Sequence, residues 1–97
     1  MYLPDWGNHA NESKVRHGIT EKQIASTWVY GDPEPTYGDC WRLVGEEITL
    51  VLNQEGNFII TMYPNKKRDL LKAKLIKYRK IRGVIRKEYP WENSKEN

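Results

Sequence analysis

Apolar and polar positions alternate most regularly between Ile48 and Pro64. Ile48-Thr49-Leu50-Val51-Leu52 is followed by a polar break containing Gly56, and then by Phe58-Ile59-Ile60-Thr61-Met62-Tyr63-Pro64. Two β-branched and aromatic runs around a short polar connection predict a β-hairpin. With Gln54-Glu55-Gly56 as a three-residue loop and Gly56 left-handed, Leu52 faces Phe58, Leu50 faces Ile60 and Ile48 faces Met62. Opposed side chains share a face, so these six gather on one side, and a one-residue slip would scatter them. The other side carries Thr49, Val51, Ile59, Thr61 and Tyr63. Burial gives no reason for a threonine and a tyrosine two apart there.

A third strand precedes the hairpin. Cys40-Trp41-Arg42-Leu43-Val44 runs into Gly45-Glu46, which suits a type II′ turn. Pairing Val44 with Glu47 puts Trp41 and Leu43 on the apolar side and Arg42 beside Thr49. Upstream, residues Asn8 to His17 predict a polar helix ended by Gly18. Thr20-Glu21-Lys22-Gln23 fits a capping box, with Ile19 as staple, opening a helix that buries Ile24, Trp28 and Ala25. Gly31 to Pro35 reads as a loop fixed by two prolines. Met1 to Gly7 is turn-prone, with Tyr2, Leu3 and Trp6 available to the core.

Beyond Pro64-Asn65, Asp69 to about Arg82 predicts a helix with Leu70, Leu71, Leu75, Tyr78 and Ile81 on a broad apolar stripe. Gly83 weakens or kinks it, Val84-Ile85 continue for one more turn, and Pro90 to Asn97 read as a frayed tail. The fold class expected is α+β, with two N-terminal helices packed on a small antiparallel sheet, plus a basic C-terminal helix. Residues 1–65 form the body and residues 66–97 a helical extension packed on the same single domain.

Charge changes this picture more than size does. The net charge is +3, yet residues 1–65 hold four Lys/Arg against nine Asp/Glu, and residues 66–97 hold twelve against four. The tail, and not the body, would meet a polyanion. Candidate phosphate contacts are Lys14, Lys66, Lys67, Arg68, Lys72, Lys74, Lys77, Arg79, Lys80, Arg82, Arg86 and Lys87. A membrane-surface helix or docking on an acidic protein are the other readings of that segment. No apolar run approaches the ~20 residues of a membrane span, and no signal-peptide pattern opens the chain. One cysteine, Cys40, cannot make an internal disulfide, so a reduced, soluble, cytoplasmic protein is expected.

The two histidines, His9 and His17, lie eight residues apart on the first predicted helix. Imidazoles titrate near neutrality, so a pair can act as base and acid in metal-free RNA cleavage. Arg42, Thr49, Thr61 and Tyr63 offer donors to phosphate oxygens. Two His and one Cys match no zinc spacing, so no metal is expected. Neither a Gly-rich phosphate loop nor Gly-x-Ser-x-Gly is present, and no cofactor is expected.

Arg16-His17-Gly18-Ile19-Thr20 leading into a second helix, with strands ending Ile60-Thr61-Met62-Tyr63-Pro64, resembles the small ribonuclease toxin domains. These are the barnase–EndoU–colicin–RelE-like group, including the toxin tips of contact-dependent inhibition. The resemblance covers about residues 8–65. It implies an RNA-cleaving site built from His9 or His17, Arg16 or Lys14, Thr61 and Tyr63; Arg42 joins them from the strand register. Toxin domains of this group usually end soon after the T-x-Y-P, whereas here a basic helix follows. The leading expectation is a metal-independent endoribonuclease of toxin type acting on RNA, with an acidic antitoxin or immunity protein as a possible partner. The alternatives are a non-catalytic nucleic-acid binder using the basic helix, or an interaction module for an acidic partner.

Overall fold

The structure, a computed structural model, describes residues 3–85 and 89–93. In chain order the elements are β1 (Asp5–Trp6), α1 (Asn8–His17), α2 (Glu21–Tyr30), β2 (Asp32–Pro35), β3 (Trp41–Val44), β4 (Ile48–Leu52), β5 (Phe58–Pro64), α3 (Leu70–Arg82) and α4 (Pro90–Asn93). Short 3-10 turns occupy Tyr37–Asp39 and Lys67–Asp69. The class is α+β. The predicted meander forms the centre of a five-stranded sheet of order β1-β5-β4-β3-β2, antiparallel except for β1 beside β5.

The helix signals act locally. Gly18, at φ 63°, closes α1, and the Ile19 amide reaches back to the Lys14 carbonyl at 2.9 Å. Thr20 and Gln23 make the reciprocal capping box at 3.1 and 2.9 Å. Ile19 and Ile24 are buried beside it.

Both hairpin registers differ from expectation. Glu46-Glu47, and not Gly45-Glu46, makes the first turn, with the Gly45 amide bonded to the Ile48 carbonyl. Gly45 instead serves close packing, because a Cβ there would overlap the Thr27 side chain of α2. Leu43 therefore faces Leu50, Trp41 faces Leu52, and Arg42 faces Val51. A two-residue slip leaves every face unchanged.

The second hairpin is altered more deeply. Asn53 Oδ1 accepts from the amides of Asn57 and Phe58 at 2.9 and 3.1 Å. This fixes a longer loop in which Asn53 pairs with Phe58, while Gly56 stays left-handed at φ 68°. Leu52 then pairs with Ile59 and Val51 with Thr61, so Ile60 is the extra residue of a β-bulge. Ile59 is fully buried in place of Phe58 and Ile60, which remain 39% and 36% exposed.

Other departures follow from packing. Asp32–Pro35 is an edge strand on β3 and not a loop, a place where proline is tolerated. Cys40 precedes the strand that was expected to contain it. Gly83, at φ 69°, terminates α3 outright, and Val84 and Ile85 do not continue it. The expected frayed tail is in part a latch. Tyr89 and Trp91 are 5% and 4% exposed and join the core around Ile24, Leu43, Leu50, Leu52 and Met62. Trp28, Tyr89, Trp91 and Trp41 form a chain of ring contacts with centroids 4.4 to 5.8 Å apart from one ring to the next. Tyr2 and residues 94–97 lie outside the described residues.

The sheet has a second covered face. Strand parity places Asp32, Glu34, Arg42, Val44, Thr49, Val51, Thr61 and Tyr63 there. Ion pairs to Asp32 and Glu34 draw α3 across it. Val44, Thr49, Ala73 and Ile76 are buried apart from the main core.

Candidate functional site

Strand β1 pairs only with Phe58 and Ile59, and α1 packs along β5. Ala10 and Ser13 are the buried residues of α1. Ser13 Oγ lies 3.3 Å from Thr61 Oγ1. His9 stands four residues before Ser13 and His17 four after, so both sit one turn away on the same stripe. Both are exposed, as is Arg16, and Lys14 is half-buried. Folding thus brings the histidine-bearing helix to the Thr61 strand. The imidazoles are nevertheless separated by about 12 Å of helix rise. In-line transfer holds its two reacting oxygens on one phosphorus, with acid and base each about 3 Å away.

Tyr63 is half-buried and has Lys66 Nζ 4.8 Å from its ring centroid. Arg42 is committed to carboxylates. Its Nη2 lies 2.9 Å from Glu34 Oε1, and its Nη1 lies 3.2 Å from Asp69 Oδ1. Burial disfavours the guanidinium charge, yet hydrogen bonds to Glu34 and Tyr63 and the Asp69 carboxylate outweigh it and raise its pKa. Arg42 is therefore held beneath α3 and not offered to solvent. Thr49 is also internal, donating to Asn65 Oδ1 at 2.8 Å, while Asn65 Nδ2 donates to the Gly45 carbonyl at 2.9 Å.

The chain matches no family model, no curated protein and no solved structure.

The basic segment divides in two. Lys72 pairs with Glu34 at 2.9 Å, Arg79 with Asp32, and Lys80 with Glu46 at 3.4 Å. These three cations answer the acidic body of the same chain. Lys67, Arg68, Lys74, Lys77 and Arg82 are exposed, with no carboxylate partner among the described residues. Arg86 and Lys87 lie outside the described residues.

Sequence reasoning missed Ser13, whose signal was its position midway between the histidines. It also missed Glu34 and Asp69, which had no local signal. Among the described residues no group of three His, Cys, Asp or Glu is placed to hold a metal ion. No helix among them is long and apolar enough to cross a membrane.

Proposed function

We propose that the protein is a metal-independent endoribonuclease of toxin type, with its site where α1 meets β5. The observation that supports this is the Ser13–Thr61 contact, which sets both exposed histidines one helical turn from the Thr61-x-Tyr63 strand. One imidazole takes the proton of a ribose 2′-OH, and the 2′-oxygen attacks phosphorus. The bond from phosphorus to the 5′-oxygen breaks, and that oxygen takes the Tyr63 hydroxyl proton. The products are a 2′,3′-cyclic phosphate and a 5′-hydroxyl. The Thr61 hydroxyl and Arg16 hold the phosphate oxygens, and Ser13 positions Thr61.

The test is incubation of the purified chain with tRNA and mRNA, with and without EDTA. Cyclic-phosphate products in both conditions are expected, and their loss in Thr61→Ala and in either His9→Ala or His17→Ala. Absence of products from the wild-type chain removes the enzyme reading. Undiminished products from all three variants remove this site.

A second reading is favoured by the exposed cations Lys67, Arg68, Lys74, Lys77 and Arg82: a binder that holds nucleic acid without cutting it. Salt-sensitive RNA binding with no products would select it.

A further inference from the structure

Helix α3 turns its apolar stripe outward. Leu71 and Ile81 keep 79% and 75% of their surface exposed, and Leu75 and Tyr78 keep 58% and 57%. The inward stripe instead carries Lys72 and Arg79, tied to β2, and Lys80, tied to the β3–β4 turn, with Ala73 and Ile76 buried between them. Ordinary helix packing would be the reverse. A helix that turns three of its cations to its own domain and its leucines to solvent is built to meet something else.

We infer that the outward face of α3 docks an acidic amphipathic helix of a partner protein. Two adjacent rows run along this face at i, i+4, i+7 and i+11: Leu70-Lys74-Lys77-Ile81 and Leu71-Leu75-Tyr78-Arg82. Such rows are the ridges that a second helix packs against. The cations stand within the rows, between apolar groups, so the occupant must bring carboxylates interleaved with apolar side chains.

That pattern decides among occupants. Helix α3 contains no acidic residue, so the same helix of a second copy would oppose like charges. RNA would engage Lys74 and Lys77 but leave Leu71, Leu75 and Ile81 in water. A bilayer would have to draw both ammonium groups toward the acyl boundary along with Leu70 and Ile81. A partner helix with Leu and Glu on one face satisfies both kinds of group where they stand.

The full chain is titrated with a synthetic helix bearing Leu on one face flanked by Glu, with its Leu/Lys counterpart, and with phosphatidylglycerol vesicles. The Leu/Glu helix should bind the wild-type chain and the Leu/Lys helix should not. Leu75→Ser, and separately Lys74→Glu with Lys77→Glu, should each weaken binding by about tenfold or more. These positions are exposed, so unchanged thermal midpoints in the variants show that folding is intact. The inference is overturned by no Leu/Glu binding, by equal binding of wild type and both variants, or by a dimer in solution that Leu75→Ser disperses. Vesicle binding abolished by Leu75→Ser, without Leu/Glu binding, assigns the face to lipid and also overturns it. RNA cleavage is measured alongside, and Leu75→Ser should leave it unchanged, so failure of the catalytic reading and failure of this one are separately visible.

Discussion

Arg42 reaches across to Glu34 on the neighbouring strand, 2.9 Å from Nη2 to Oε1, and Lys72 of α3 meets the same carboxylate from above at 2.9 Å. Burial alone would raise the Glu34 pKa, but the hydrogen bonds and charges of Lys72 and Arg42 outweigh it and hold it below the usual glutamate value. A carboxyl whose folded pKa lies below its unfolded one contributes stability that is complete above the unfolded pKa. That stability is lost as pH falls through the folded one. The attachment of α3 should therefore weaken on acidification below the ordinary glutamate range. Glu34→Gln should flatten that dependence in urea midpoints followed from neutral to acid pH. An unchanged acid slope in the variant would show that Glu34 does not control it.

Removing Arg42 should cost more than removing Lys72. Asp69 is only 2% exposed, and Arg42→Ala strips it of its cation, for about 3 kcal/mol. Lys72 is 32% exposed, and Lys72→Ala should cost at most about 1 kcal/mol. Denaturant unfolding of both variants checks the order. Equal losses would mean that the Asp69 carboxylate is satisfied without Arg42.

Gly56 and Gly18 separate backbone strain from packing. Both have positive φ, but a Cβ on Gly18 meets open space, whereas one on Gly56 would fall inside the Trp91 indole. Gly18→Ala should cost about 1 kcal/mol. Gly56→Ala should cost clearly more and displace Trp91, visible as altered near-ultraviolet dichroism and a lower thermal midpoint. Trp91→Ala should itself cost about 3 kcal/mol or more.

Charge reversals on the basic segment should sort by direction. Lys67→Glu and Arg68→Glu, just before the helix, should lower RNA affinity and flatten its salt dependence while leaving stability nearly unchanged. Arg79→Glu places a carboxylate against Asp32 and should destabilise the fold instead. Filter binding at several salt concentrations, paired with melting curves, reads both effects.

At the α1–β5 site, Tyr63→Phe and Thr61→Ala should each reduce cleavage by about a hundredfold or more. Only one of His9→Ala and His17→Ala should do the same, since about 12 Å of helix rise separates the two. Comparable losses from both, with RNA binding intact, would contradict the single-histidine assignment.

Several signals that act over a few residues were legible in the chain. Gly18 ends α1, Thr20 and Gln23 cap α2, Gly56 turns the hairpin, and the alternation through Leu43, Leu50 and Met62 selects the core face. The resulting α+β class follows from these. Register turned on one side chain within a hairpin loop and on packing between elements, and the fate of each charge on tertiary contacts. The Asn53 side chain lengthened one loop and so exchanged Ile60 for Ile59, and Thr27 reserved Gly45 for close packing. The lopsided charge suggested an outside polyanion, yet Lys72, Arg79 and Lys80 bond to acids 34 to 47 residues away in the same chain. Periodicity shows that a helix has an apolar stripe and a cationic one. Which stripe faces inward depends on what the sheet presents, and here the sheet presents carboxylates.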